Sequence, residues 1–429
     1  MRIERDSLGA VSVPDYALYG AHTVRAMGNF GVSGVTMAAR PELIAAFGQV
    51  KAAAARANLA TGGLGSEIGE AILAAAREVA AGRHDGQFPI DVVHGGGGTA
   101  INMNANEVIA NVANEALGGR RGAYDHVHPN DHVNRSQSTN DVYPTALALA
   151  TFAVAMEAIA RTEALERTLL AKASTVGETQ HLGRTCLMDA VPLTIAATHT
   201  SQAHAVHRTV EALAAAIQEL LQVPLGATAV GTGIGAPEGY RQAVLEMLRE
   251  ETGLQVSAAP DLYDALANND VYFNIAAQLF RVSAVTAKIA ADLRLLASGP
   301  IGGFGEIRLP SVQVGSSIMP GKVNPVIPEL VMQSHMQIQG MTTAVGAAVS
   351  GGELELNVME PVIARHLLAG LREFGLTAEI FAERCVAGLE WDLSAVALHM
   401  EGSRGDSVER AMLDGYESVA KAASVSQAS

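Results

Sequence analysis

Aromatic side chains make up only 4% of this 429-residue chain and charged ones only 17%, against 49% apolar residues. The shortage of aromatics leaves Ala, Leu, Val, Ile and Met to build the core. Such small or straight side chains suit close helix packing better than a sandwich or a barrel. The shortage of charge goes with abundant apolar residues, the reverse of a disordered chain. It also leaves more apolar surface than a monomer of this size can expose, so part of it is expected to be buried between subunits. Positive charge is scarce too: 29 Lys and Arg face 44 Asp and Glu, for a formal net charge of −15. Nucleic acid is thereby disfavoured as a partner, since phosphate binding needs a basic footprint. A small anion held by local cations stays compatible, because salt screens the distant charge. Two cysteines, Cys186 and Cys385, make neither a disulfide framework nor a four-ligand zinc site. The start of the chain, Met1 to Asp6, has no apolar h-region, and the alanine-rich runs are broken by Arg, Glu, Lys or His. The expectation is a cytoplasmic protein with no signal peptide and no membrane-spanning run.

What is present is helical periodicity. Residues 1–40 read as a loop-rich arm, punctuated by Gly9, Pro14, Gly20, Gly28 and Gly31. Pro41 suits a first helical position, Leu43, Ile44, Phe47 and Val50 recur at helical spacing, and Gly62 and Gly63 close the run. Helices are predicted over Ser66 to Ala81 and Thr99 to Leu117. The second is unusual, because Asn102, Asn104, Asn106, Asn111 and Asn114 are poor helix formers. Asn102 and Asn106 lie one turn apart and share a face. A wet surface is one reading; the neighbours Met103, Val108, Ile109 and Val112 favour a buried polar network. Long helices are predicted over about Asp141–Ser174, Pro192–Leu221, Asp261–Ala297, Pro328–Val349 and Leu356–Leu389. The stretches 178–189, 223–240 and 299–325 are irregular. Helices of about thirty residues span about 45 Å and need partners along their whole length, which implies a bundle. After Trp391 the pattern weakens to a short amphipathic helix near Val408–Ala422 and an expected frayed end over Ala423–Ser429. Strand signals are scarce throughout.

Three polar, non-periodic segments interrupt this background, and polar loops on a rigid scaffold are where binding residues tend to sit. The first joins Gly95-Gly-Gly-Gly-Thr99 to the stretch His128 to Asp141. A phosphate cradle is disfavoured, because no strand precedes the glycines and no Gly-Lys-Ser/Thr follows. Close backbone approach is the better reading, with Thr99 capping the next helix and sharing its hydroxyl with a ligand. Ser138, Thr139 and Asn140 stand just before a long helix, a good site for a carboxylate. Ordinary N-capping explains the same residues. The second segment, His181 to Ala190, offers Arg184 and Thr185 to an anion; Cys186 is either reactive or, as lone cysteines more often are, inert core. The third, Gly315 to Pro325, combines glycines with Ser316, Ser317, Lys322 and Asn324. The lysine can pair with a carboxylate and the asparagine can bond to it. A serine there can act as nucleophile or base only if something activates it. No Gly-x-Ser-x-Gly elbow and no obvious His–Asp relay accompanies it, which disfavours a hydrolase. A plain surface loop is the alternative, and its apolar centre Ile318-Met319-Pro320 argues against that.

Gly315-Ser-Ser-Ile-Met-Pro-Gly-Lys-Val-Asn-Pro325 resembles the signature sequence of the aspartase/fumarase superfamily, and the likeness extends from about Glu4 to Arg384. Gln137-Ser-Thr-Asn-Asp141, Val326-Ile-Pro-Glu329 and Asn357-Val-Met-Glu-Pro361 look like the aspartase branch. Fumarases usually show Ser where Thr139 stands and Phe-Lys in place of Met359-Glu360. The stretches Gly98 to Asn111 and Tyr19 to Arg25 fit both. The resemblance implies an all-α superfamily fold with a long central helical bundle, assembled into a homotetramer. It implies an N-terminal domain over 1–140, the bundle over 141–390 and a short C-terminal segment, a reduced third domain, over 391–429. Composite active sites would each draw three loops from three subunits.

The chemistry implied is removal of ammonia from aspartate to give fumarate, without cofactor or metal. By resemblance, Ser316 is the base that takes a proton from the carbon beside the β-carboxylate. Thr99, Ser138, Thr139 and Ser317 then stabilise the aci-carboxylate, Lys322 and Asn324 hold the α-carboxylate, and Asn140 and Thr185 bind the amino group. Two departures stand out. Cys186 occupies a position where relatives usually carry Gln or His, which marks it as a specificity position for the amine. No stretch like Leu-Asn-Pro-x-Ile-Gly follows Trp391. The rivals are a superfamily lyase acting on another substituted succinate, a fumarate hydratase ranked lower for want of the relay histidine, and a non-catalytic dicarboxylate-binding homologue.

Overall fold

The structure, a computed structural model, describes residues 1–426. The chain opens with an antiparallel hairpin, β1 (Arg2–Asp6) and β2 (Gly9–Val13), pairing Glu4 with Val11. Then come α1 (Ala21–Asn29), α2 (Pro41–Ala60), α3 (Ser66–Ala80), α4 (Thr99–Ala116) and the 38-residue α5 (Thr139–Val176). A second hairpin, β3 (Gln180–Thr185) and β4 (Met188–Thr194), leads into α6 (Ile195–Ala216). Next are β5 (Gln222–Val223), α7 (Tyr240–Thr252), β6 (Ser257–Ala258), α8 (Asp264–Ala267), α9 (Asp270–Leu296) and β7 (Ile307–Arg308). The chain continues with α10 (Val326–Val349), α11 (Glu360–Phe381), β8 (Glu390–Trp391), α12 (Leu393–Glu401), α13 (Ser407–Asp414) and α14 (Tyr416–Ser426). Helices take up 61% of the chain, and among the described residues every sheet has only two strands, so the class is all-α.

Several expectations need correction. The loop-rich arm is a β-hairpin followed by a helix. The segment 180–194 is a hairpin too, so the helix expected from Pro192 begins at Ile195. Its tip, Cys186 at φ 55° and Leu187 at φ 62°, has the two left-handed residues of a tight hairpin turn without the usual Asn-Gly sequence. Asn268 and Asn269 separate α8 from α9, which splits the helix expected from Asp261. The helix expected to reach Leu389 ends at Phe381 and passes into a π-helical turn, Ala382–Val386. The C-terminal segment carries three helices rather than one. The end expected to fray is helical to Ser426, and residues 427–429 lie outside the described residues. Finally, α5 is long and apolar enough to cross a membrane by length and composition. Yet 78% of its most apolar window is buried inside the protein, so packing accounts for its character.

The chain forms two compact units. One comprises Met1–Glu157, Leu213–Leu279 and Gln339–Arg372; the other comprises Ala158–Ala212, Phe280–Ile338 and the chain from Glu373 onward. In the first, α2 packs on α3 and α7, and α3 on α4. Leu43, Ile44, Phe47, Val50 and the alanines 52–55 of α2 are all buried. Gly48 explains how close α3 comes: a Cβ there would lie 2.4 Å from the backbone nitrogen of Ala80. In the second unit a Cβ on Gly375 would lie 2.9 Å from the Cα of Ala158. Its core is filled by side chains such as Leu165, Leu169, Val282, Leu293, Phe374 and Phe381. Both are the tight, small-residue helix contacts that a chain poor in aromatics must use. Gly48→Ala should therefore lower stability by about 1–3 kcal/mol through overpacking against rigid backbone. A calorimetric melting temperature equal to that of the native chain contradicts this.

Candidate active site

The first unit holds its polar loop from below. Lys51, in the alanine run of α2, is fully buried. Its Nζ donates to Asn134 Oδ1 and to Gln137 Oε1, both at 3.0 Å. Asn134 Oδ1 also accepts from Asn102 Nδ2 at 3.2 Å and Asn106 Nδ2 at 3.1 Å, and Asn102 Nδ2 reaches Thr139 Oγ1 at 2.9 Å. The buried network expected from the asparagine-rich helix is present. Its hub, Lys51, escaped the sequence reading, because a lysine among alanines looks like a solvated face. Burial pushes the Lys51 ammonium down to about 7, with nearby Asp141 opposing.

Asp141, equally buried, is pushed up by desolvation to about 6, against the pull of backbone donors and Lys51. It accepts from the backbone N–H groups of Ser138 (2.9 Å), Gly226 (3.0 Å) and Thr228 (2.9 Å). The start of α5 is thereby tied to the glycine-rich segment 223–240.

These contacts set which end of each site group is free. Ser138 Oγ accepts from the Asn140 N–H at 3.2 Å while Asp141 takes the Ser138 N–H, the reciprocal pairing of a capping box. The ordinary capping reading is thus correct for Ser138, and its hydroxyl proton is left to donate. Thr139 Oγ1 accepts from Asn102, so its hydroxyl also has a proton to donate. Asn140 Nδ2 donates to the carbonyl of Ala229 at 2.8 Å, which leaves Oδ1 as an acceptor.

Thr99 departs from expectation. It is the first residue of α4 and not its cap; Gly98, at φ 87°, holds the cap position, and Thr99 Oγ1 donates to the Gly96 carbonyl at 2.8 Å. Exposed, it lines a hollow of about 620 Å³ with Arg5, His22, Arg25 and Glu107. The neighbouring glycines do serve close approach. A Cβ on Gly98 would lie 2.0 Å from the Tyr143 ring, and one on Gly97 would sit 3.5 Å from Val358. The stretch Asn357 to Pro361 therefore backs the loop. In it Glu360 is buried, accepts from Asn269 Nδ2 at 3.3 Å, and is pushed up to about 8 by desolvation.

The second unit carries the other two segments. Arg184 is not free to meet a ligand: Nη2 and Nη1 donate to Glu306 Oε1 and Oε2 at 2.6 and 3.0 Å, and the guanidinium lies 4.4 Å from the centre of the Phe304 ring. The expected anion contact at Arg184 is therefore withdrawn. Burial alone would raise the Glu306 carboxyl, but bonds from Arg184 and His399 outweigh it and hold the group below the usual range. Thr185 and Cys186 are exposed at the hairpin tip, so Cys186 is not inert core. Cys385 is buried, and its thiol is pushed up to about 12.

In the signature loop, Ser316 Oγ accepts from the backbone N–H groups of Met319 at 2.9 Å and Ile318 at 3.3 Å. Two donors aimed at one hydroxyl oxygen favour its anionic form. Asn324 Nδ2 donates to the Gly315 carbonyl at 2.7 Å and closes the loop on itself. A Cβ on Gly315 would come 2.3 Å from the Lys322 carbonyl oxygen, so only glycine permits that crossing. Ser317 and Lys322 are exposed, and Met319, Lys322 and Asn324 line a hollow of about 670 Å³ with Arg308. Ser138, Thr139 and Asn140 are thus brought together at the start of α5, with Thr139 on the Lys51 network, and Ser316 with Asn324 in one loop. Among the described residues no hydrogen bond joins Thr185 or Cys186 to that loop, and no cluster of three or more His, Cys, Asp or Glu is placed to hold a metal.

The chain belongs to the lyase family, whose model matches residues 9–340. It is similar to the aspartate ammonia-lyase of Corynebacterium glutamicum, 43% identical over 405 residues, or 94% of this chain and 77% of that protein. An aspartate ammonia-lyase from a Bacillus species is 41% identical over 423 residues, 99% of this chain and 90% of the relative. The solved structure of fumarate lyase:delta crystallin from Brucella melitensis, bound to cobalt, matches with a TM-score of 0.97 at 40% identity, over 100% of this chain and 93% of that one. The family likeness read from the signature loop is upheld.

The Glu360 carboxyl makes a pH prediction. Its folded pKa of about 8 lies above the ordinary 4.5. Stability it permits is full below about pH 4.5 and is lost as pH rises to about 8, because the folded state holds the proton longer. Glu360→Gln removes this titration. Relative to the native chain it should gain thermal stability steadily from about pH 5 to about pH 8, by a few kcal/mol at most. A difference that stays constant across that range contradicts the assignment.

Proposed function

We propose that this chain is an aspartate ammonia-lyase, which reversibly deaminates L-aspartate to fumarate by anti elimination in a cytoplasmic homotetramer. The observation that carries the reading is similarity to proteins of that name over more than nine-tenths of the chain. Ser316 serves as the base: as an alkoxide held by the Ile318 and Met319 N–H groups, it takes the proton from the carbon beside the β-carboxylate. The carboxylate becomes an aci-carboxylate dianion and needs donors. Ser138 and Thr139 supply hydroxyl protons, since their oxygens already accept from Asn140 and Asn102. Thr99 and Ser317 complete the set, Thr99 by turning its hydroxyl away from Gly96. Losing one such donor typically costs about 2.7–4 kcal/mol of barrier. Lys322 and Asn324 hold the α-carboxylate. Asn140 Oδ1, with its amide nitrogen engaged by Ala229, accepts from the leaving amine, joined by Thr185. Three subunits each contribute one of the three segments.

The test follows fumarate by ultraviolet absorbance, with malate as the control substrate. Aspartate should yield fumarate and malate should not; turnover of neither by a folded tetramer sinks the reading. Ser316→Ala should cut turnover by about 10²–10⁴-fold, the usual worth of a positioned base, with assembly unchanged by light scattering. Substantial residual activity removes Ser316 from that role.

One observation favours a second reading. Cys186 is exposed beside Thr185, and a thiol is smaller and a weaker hydrogen bonder than the Gln or His usual in relatives. The amine pocket then admits a substituted amine or an altered succinate. Cys186→Gln should narrow the range of amines added to fumarate; an unchanged range refutes the pocket argument.

A further inference from the structure

The segment after residue 389 is built onto the hairpin that ends in Thr185 and Cys186. β8 pairs with β7, placing Trp391 opposite Ile307, and the Asp392 N–H donates to the Glu306 carbonyl at 2.8 Å. Arg308 Nη2 ties to Asp392 Oδ2 at 2.5 Å. The Trp391 indole N–H donates to His199 Nε2 at 3.0 Å, and its ring lies 5.0 Å from that of His181 on β3. From α12, His399 Nδ1 donates to Glu306 Oε1 at 2.7 Å, the oxygen that also receives Arg184 Nη2 at 2.6 Å. Glu306 is fully buried, and Arg184 immediately precedes Thr185. On the other strand, a Cβ on Gly405 would meet Pro192 at 3.1 Å.

We infer that Glu306 and His399 are positioning residues: the C-terminal segment, through the His399–Glu306–Arg184 cluster, fixes the hairpin tip and so places Thr185 for the amine of the substrate. The inference rests on the proposed aspartate deamination for the role of Thr185. The physical argument is geometric. Two left-handed residues form the tip, and a two-stranded ribbon is marginal by itself. A bidentate arginine pair holds planar geometry firmly, and its carboxylate stays put only if its remaining capacity is filled. His399 fills it. A shift of the tip by about 1 Å is enough to cost a large part of the rate.

The experiment uses the full chain and two readouts. In His399→Ala, hydrogen exchange across residues 180–194 should speed up by about tenfold, the scale of one lost charge-assisted bond. The KM for aspartate should rise several-fold, while the KM for fumarate, which has no amine, should stay within about twofold in the amination direction. His399→Gln keeps a donor toward Glu306 and should restore both values. Glu306→Gln should loosen the hairpin further, and His399→Ala, at a partly exposed position, keeps the test open where that variant does not fold. Unchanged exchange over 180–194 in His399→Ala overturns the inference, and so does an equal rise in both KM values. If the native chain makes no fumarate from aspartate, the functional proposal falls separately and the exchange measurement alone decides whether the segment fixes the tip.

Discussion

Lys51 is a charged side chain with no exposure to water, and the arrangement of the first unit follows from what it needs. A buried ammonium must give its protons to acceptors, and here they are the side-chain oxygens of Asn134 and Gln137. Asn134 in turn gathers Asn102 and Asn106, and Asn102 fixes the lone pair that Thr139 uses. The loop before α5 therefore has no freedom to slide. Asp141 completes the constraint from the helix side by gathering the N–H groups of Ser138, Gly226 and Thr228. The bonds from Asn102 to Thr139 and from Asp141 to the Ser138 N–H hold these hydroxyl groups in place, as an oxyanion site requires, because reorganisation during the reaction would raise the barrier.

The second unit solves a different problem. Its two segments stand out from the helices and are exposed, so rigidity comes from local closure. The signature loop is clasped by Asn324 on Gly315, and Ser316 is clasped by the turn that follows it. The hairpin is held next to its tip by the Arg184–Glu306 pair and near its base by the contact of His181 with Trp391. Val314, Ile318, Leu187 and Met188, on or next to these segments, are exposed apolar residues, the kind of surface that marks an interaction site.

How much of this was legible in the sequence depended on whether a residue broke a local rule. Asparagines in a helix break propensity, so Asn102 and Asn106 were readable as a buried network. Ser316, Lys322 and Asn324 stood in a glycine-rich loop with an apolar centre and were equally visible. Lys51 broke no rule, since lysine is a good helix former and usually snorkels to water. Glu306 looked like any acid in a loop. The hairpin at 180–194 hid for another reason: its turn uses Cys186 and Leu187 where Asn-Gly is usual, and long-range pairing, not propensity, stabilises it. Arg184 drew attention as a free cation because its partner lies 122 residues away. The boundaries of the long helices were readable to within a few residues where Pro or Gly marked them and failed at Asn268 and Phe381, where neither stands.

In the proposed elimination a base on one face removes a single proton from the carbon beside the β-carboxylate and the amine leaves from the other. Running the reaction backwards in deuterium oxide with fumarate and ammonium tests it directly by proton magnetic resonance of the aspartate formed. One deuterium at the β-carbon, in the diastereomer that anti addition gives, is the predicted result. The diastereomer of syn addition, label shared between both β-positions, or no aspartate at all contradicts it.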